Sequence, residues 1–165
     1  MRSWIDTHCH LQLAGSDPET LLARAIDVER VVVPGIDAAS SSEAANLAAT
    51  MPDRVDYAAG LHPHEASRWP DERDAIAGLL ADAVAVGETG LDFYRNLSPP
   101  EAQHGAFVDQ LRMARERGKP TIVHCRDAFQ QVHEIIEREG GGSSIVLHCW
   151  TGGPKWSKRF AELGV

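Results

Sequence analysis

The sequence predicts an α/β fold on a parallel sheet, with about six β/α units in 165 residues. Three observations carry that expectation. Short β-branched apolar runs recur about every 24 to 37 residues. Segments with helical period and helix-capping residues separate them. Six of the eight histidines fall at or just after the runs.

The first run is Ile5 to His8, followed by Val31-Val32-Val33, Val55 to Ala59 and Val84 to Val86. Thr121-Ile122-Val123 and Ile145-Val146-Leu147 complete the series. Runs this apolar suit strands covered on both faces. Among the helices, Asp17-Pro18 places a capping acid before a proline at the first helical position. Ser40 with Glu43, and Ser98 with Glu101, fit capping boxes. Phe107, Leu111 and Ala114 recur at helical spacing before Gly118, and Trp156, Phe160 and Leu163 before Gly164. The stretch Gly140-Gly141-Gly142-Ser143-Ser144 reads as a loop between helix and strand. This alternation fits either an open doubly wound sheet or a (β/α)8 barrel lacking its last units. A complete barrel takes about 250 residues. The stop at Val165, just past a helix-ending glycine, therefore predicts a partial barrel over residues 1–165, one domain with an open edge on strand six.

Composition narrows the function classes. Hydrophobic residues make up 43% and charged residues 24%, ordinary for a water-soluble domain. No apolar run is long enough to span a membrane, and Met1-Arg2-Ser3-Trp4 does not read as a secretory signal. Three cysteines fit a reducing compartment, so a cytoplasmic location is expected. The net charge of −8 disfavours a large nucleic-acid footprint, although bound cations reverse the local sign in an acidic cleft.

His8, His10, His62, His64, His124 and His148 sit at strand ends, where barrels of this type build their sites. Strand alternation turns His8 and His10 to one face, a start for a divalent-metal site, and Cys9 to the other. Asp6 shares the histidine face and could orient them. All three cysteines directly follow a histidine, at 9, 125 and 149. The expected arrangement has histidines facing the barrel mouth and cysteines packing towards the helices; a Cys/His zinc site is the rival reading. Glu88, flanked by Gly87 and Gly90, is placed at the end of strand four, where a carboxylate could bridge two cations. His62 and His64, separated by proline, read as substrate-side groups. Arg95 and Arg126 suit either phosphate binding or an ion pair with a nearby aspartate. His104 and His133 lie within predicted helices and read as ordinary surface or helix-flank residues with no role.

Taken in order, these motifs resemble the TatD family of metal-dependent nucleases, within the amidohydrolase-like barrels. The opening motif is Asp6-Thr7-His8-Cys9-His10, the second Gly60-Leu61-His62-Pro63-His64-Glu65, and the third Gly87-Glu88-Thr89-Gly90-Leu91-Asp92. Gln103 and Phe107 match the helix that follows. Pro120 to Asp127 and His148-Cys149-Trp150-Thr151-Gly152 resemble the last two motifs. The resemblance implies a (β/α)8 barrel of metal-dependent hydrolase type with two divalent ions (Mg²⁺, Mn²⁺ or Zn²⁺). His8 and His10 would hold one, His124 and His148 the other, and Glu88 would bridge them as the catalytic carboxylate. The expected substrate is DNA, or RNA, trimmed from the 3′ end by an activated water. The family's further metal-binding aspartate, at the end of strand eight, has no counterpart here, so weak activity or none is expected of this chain alone. Two other readings stand beside it: hydrolysis of an amide, lactone or phosphotriester on the same scaffold, and a non-catalytic remnant or interaction module.

Overall fold

The computed structural model describes residues 3–139 and 144–165. All but Ser144 of the predicted glycine-rich loop lies outside the described residues. Six strands alternate with six α-helices: β1 (Trp4–Asp6), α1 (Pro18–Arg24), β2 (Val28–Pro34), α2 (Ala38–Thr50), β3 (Val55–Ala59), α3 (Trp69–Leu79), β4 (Ala85–Asp92), α4 (Pro100–Glu116), β5 (Thr121–Arg126), α5 (Phe129–Glu139), β6 (Ile145–His148) and α6 (Gly153–Glu162). Short 3₁₀ turns at Leu11–Leu13 and Pro63–Arg68 follow β1 and β3.

All neighbouring strands pair in parallel, in the sequential order β1-β2-β3-β4-β5-β6. A doubly wound sheet reverses its strand order at a switch point; this sheet never does, so the barrel reading holds. The roll of the sheet is visible in its two edges. A flat sheet of six strands would hold its edges about 24 Å apart. Instead His8, just past β1, stacks on His148 at the end of β6, with ring centroids 3.5 Å apart. On the two edge strands, Trp4, Ile5 and Val146 stay exposed. Among the described residues, no helix is long and apolar enough to cross a membrane.

The helices form for reasons the sequence only partly announces. Asp17 caps α1 as expected, accepting the Thr20 amide at 2.8 Å. At α2 the cap is Asp37, not Ser40: Asp37 accepts the Ser40 amide, and Ser40 is the third residue of the capping box. Ser98 caps nothing; Pro99 precedes α4, and the Ser98 hydroxyl donates to the His64 carbonyl at 2.7 Å. Phe107, Leu111 and Ala114 are buried as their spacing predicts. His133, expected on a helix surface, is buried instead, its ring 5.3 Å from that of Phe160.

Glu139 at the end of α5 ties that helix to α4. Arg112 grips its carboxylate through two N–H groups at 3.0 Å each, and Arg138 adds a third contact at 3.1 Å. Hydrogen bonds from Arg112 and then Arg138 hold the carboxyl down at about 2. A carboxylate depressed on folding stabilises above its unfolded pKa, about 4.3, and loses that contribution as pH falls towards 2. Glu139→Gln is therefore expected to lower Tm at pH 6 and to shrink the loss of Tm between pH 4.5 and 2.5. Thermal melts across that range check this; parallel curves for the two proteins would refute it.

Candidate metal centre

The polar cluster lies at the carboxyl edge of the sheet, and β4 supplies its centre. Glu88 stands inside β4 rather than at its end, a correction to the expected placement. The β4–β5 register slips between Val86 and Thr89, which pair with Thr121 and Val123, so β4 carries an extra residue there. Such bulges re-aim a side chain, and here Glu88 points among the histidines at 2% exposure. Glycines permit the approach: a Cβ on Gly60 would fall 2.7 Å from the Gly87 backbone.

His8 and His10 lie just beyond β1 and converge as alternation predicts. Their Nε2 atoms are 3.0 Å apart and stand 3.2 and 3.4 Å from Glu88 Oε2. An ion with bonds of about 2.1 Å needs donors roughly 3.0 to 3.4 Å apart, depending on the ligand angle. This triangle meets that requirement. His10 directs Nδ1 to the Pro34 carbonyl at 3.0 Å, so the hydrogen-bond pattern puts its proton on Nδ1 and leaves an Nε2 lone pair facing Glu88. Two imidazole nitrogens crowded against one carboxylate oxygen are a donor set that a cation relieves.

A second group, His62, Glu88 and His124, also has ligand atoms within 4.8 Å of one another. His124 directs Nδ1 to Glu88 Oε1 at 2.8 Å and Nε2 to Asp92 Oδ2 at 3.0 Å. The Asp92 carboxylate fixes the proton on Nε2, leaving the Nδ1 lone pair facing Glu88. His62 has the opposite polarity. Its Nδ1 accepts the His64 amide at 3.1 Å. Burial pushes its imidazole down to about 3, so it stays neutral with its one proton on Nε2. That N–H points towards His124 Nδ1, 3.2 Å away. His62 is thus a donor aimed into the cluster. His148 Nε2 stands 3.8 Å from Glu88 Oε1, at the more open rim. Burial would raise the Glu88 carboxyl, but the imidazoles of His10, His124, His8 and His62 packed around it outweigh that and hold it below the usual carboxylate range.

Five of the expected residues, His8, His10, Glu88, His124 and His148, therefore meet in one place, with His62 and His64 around a pocket of about 260 Å³. Arg95 does not join them: its side chain is exposed, and its amide donates to Asp92 Oδ1 at 2.8 Å. Arg126 lies over the Tyr94 ring at 3.9 Å. Asp6 acts on the main chain, accepting the His8 amide at 3.0 Å. Cys9 packs against the core and Cys125 is fully buried, as expected, while Cys149 is half-buried.

Three residues that support the site had no role in the sequence reading. Asp92 is fully buried and its Oδ2 meets both His64 Nε2 (2.9 Å) and His124 Nε2. Burial would raise its carboxyl, but the Arg95 amide, His64 and His124 hold it low. Gln103 and Gln110, two turns apart on α4, are also fully buried. Gln103 bonds both the amide (2.9 Å) and the carbonyl (3.3 Å) of Asp92, and Gln110 does the same for Leu61 (2.7 and 3.1 Å). Their amides finish the backbone hydrogen bonds of the segments bearing Asp92 and His62. Two glutamines breaking an apolar helical stripe are the sequence signal for such a role.

Comparison with known proteins adds independent findings. A family model described as TatD related DNase matches residues 5–165. The chain is 40% identical over 143 residues to the 3′-5′ ssDNA/RNA exonuclease TatD of Dickeya dadantii, covering 83% of this chain and 54% of that protein. It is 41% identical over 134 residues to the enzyme of the same name from Erwinia tasmaniensis, covering 79% and 52%. The chain thus spans about half the length of the curated relatives it matches. The crystal structure of a TatD homologue from Escherichia coli K12 superposes with a TM-score of 0.85 at 29% identity, over 98% of this chain and 65% of that one. A TatD family hydrolase from Entamoeba histolytica shares the fold, with a TM-score of 0.88 at 19% identity, over 99% and 63%.

Proposed function

This chain belongs to the family of TatD-related DNases, and from that premise we propose that it carries the catalytic centre of a divalent-metal-dependent 3′-5′ exonuclease acting on single-stranded DNA or RNA. The single observation behind this reading is the convergence of His8, His10, His124 and His148 on one buried carboxylate, Glu88. The names of two relatives, 3′-5′ ssDNA/RNA exonucleases, support this substrate. Residues 1–165 act as one domain, since every candidate ligand lies on or just beyond a strand of one continuous sheet. Its three free thiols fit a reducing, cytoplasmic setting.

His8 and His10 would hold one ion and His124 with His148 the other, Glu88 touching both. Mg²⁺, Mn²⁺ and Zn²⁺ are the candidates, and imidazole-rich ligation favours the latter two. Bound cations would polarise the phosphoryl oxygen and make the attacking water acidic at neutral pH. The protein's own groups do the rest. Asp92 keeps the His124 proton on Nε2. Glu88, ionised at neutral pH, supplies the negative charge that the imidazoles lack. His62 offers an Nε2–H and Arg126 a guanidinium to the phosphate of the substrate, His64 stands beside His62 on the Asp92 carboxylate, and exposed Arg95 is a further candidate phosphate contact.

The test is digestion of a 5′-labelled oligodeoxynucleotide with Mg²⁺ or Mn²⁺. The expected result is slow shortening from the 3′ end, abolished by EDTA and by Glu88→Gln. Absence of shortening above the Glu88→Gln control together with absence of Mn²⁺ binding would refute the reading, as would hydrolysis of an amide, lactone or phosphotriester with the oligonucleotide untouched.

A further inference from the structure

Tyr94 is a large aromatic ring left in the open beside the centre. It is 62% exposed, although the Arg126 guanidinium covers one face at 3.9 Å. A ring that open with one face taken has its other face to solvent. Arg126 is the last residue of β5 and shares a strand face with His124, two residues back. It therefore stands about 6.6 Å farther out along the mouth than that imidazole. Tyr94 follows β4 two residues after Asp92, whose carboxylate holds His124 and His64.

The turn carrying Tyr94 is braced. The Phe93 amide donates to the Arg126 carbonyl at 3.0 Å, tying the two halves of the stack together. The Arg95 amide donates to Asp92 Oδ1 at 2.8 Å, the Asn96 amide to the Asp92 carbonyl at 3.2 Å, and buried Gln103 reaches Asn96 Oδ1 at 3.3 Å. An exposed ring on such a turn is presented, at little further ordering cost.

Resting on the nuclease reading above, we infer that Tyr94 and Arg126 form a one-nucleotide platform at the mouth of the centre: a base stacks on the open face of Tyr94 while Arg126 bonds a neighbouring phosphate. A guanidinium lying flat on a ring keeps its N–H edge free, and that edge fits phosphate oxygens in pairs. Stacking tolerates every base and needs it unpaired, which selects single strands without reading sequence. A site of one ring and one cation also suits a chain of net charge −8, which has little positive surface for a long duplex track.

The experiment is fluorescence anisotropy of a phosphorothioate dT₁₂ strand binding to the whole chain in Mn²⁺, over a salt series. Tyr94→Ala is expected to weaken binding about tenfold and Tyr94→Phe to leave it within about twofold, because the ring and not the hydroxyl makes the stack. Arg126→Ala is expected to weaken binding and flatten the salt dependence by about one ion. A strand made abasic at one of its three 3′-terminal positions should bind wild type and Tyr94→Ala alike. Wild-type affinity in both alanine variants, with melting temperatures unchanged, would overturn the platform and leave the nuclease reading intact. Failure of the wild type both to bind and to shorten single strands would remove both.

Discussion

Glu88→Gln is expected to weaken divalent-metal binding by more than about 100-fold while leaving the protein folded. Changes in groups that merely orient a ligand already cost about 10- to 100-fold, and among the described residues Glu88 is the one carboxylate touching His8, His10 and His124 together. The amide keeps the shape and hydrogen-bonds the same imidazoles, so the fold survives. The negative charge that attracts the cations is lost. The readout is the melting temperature in Mn²⁺ or Zn²⁺. A ligand at 100 times its Kd adds about 2.7 kcal/mol, some 5–10 °C for a chain of this size. That rise should appear in wild type and vanish in Glu88→Gln; an equal rise in both would sink the metal assignment. The same titration separates two histidines. His62 spends its Nδ1 lone pair on the His64 amide, so His62→Ala should keep the wild-type metal stoichiometry. His148→Ala should lower it.

Much of this centre was legible because strand alternation is strict. A period of two predicts that His8 and His10 converge and that Cys9 and Cys125 turn inwards, and they do. The doubly wound alternative survived at that level because alternating units do not encode strand order; only the pairing of β1 through β6 decides it. Glu88 was recognisable by its glycine neighbours but misplaced, since a bulge is a matter of register between strands and leaves no periodic trace. Asp92 was illegible for a different reason. It matters because imidazoles from beyond β3 and on β5 reach one oxygen on β4, and such convergence has no signature in chain order. The caps failed more simply: Ser40 and Ser98 fit a local pattern, but Asp37 caps one helix better and the His64 carbonyl claims the other hydroxyl.

The demand on backbone geometry is tested most sharply at Gly90. Its φ is +132°, and a Cβ there would fall 2.1 Å from the His124 carbonyl oxygen. Neither fault can relax locally. The conformation is one that side-chain-bearing residues avoid, at about 1–3 kcal/mol, and the clash is with the backbone of β5, adding about 1–3 kcal/mol more. Gly90→Ala should therefore cost about 4 kcal/mol and lower Tm by roughly 10 °C. Because the strain pushes on His124 itself, metal binding should weaken with it. Gly105→Ala is the control. Gly105 lies in α4, where an added Cβ meets nothing within 4 Å, and alanine in a helix interior is worth about 0.5–1 kcal/mol over glycine. Melting curves with and without metal should thus move in opposite directions for the two variants. A Gly90→Ala protein as stable as wild type would mean that β4 and β5 do not approach as closely as the ligand geometry requires, and the convergence of His124 on Glu88 would fall with it.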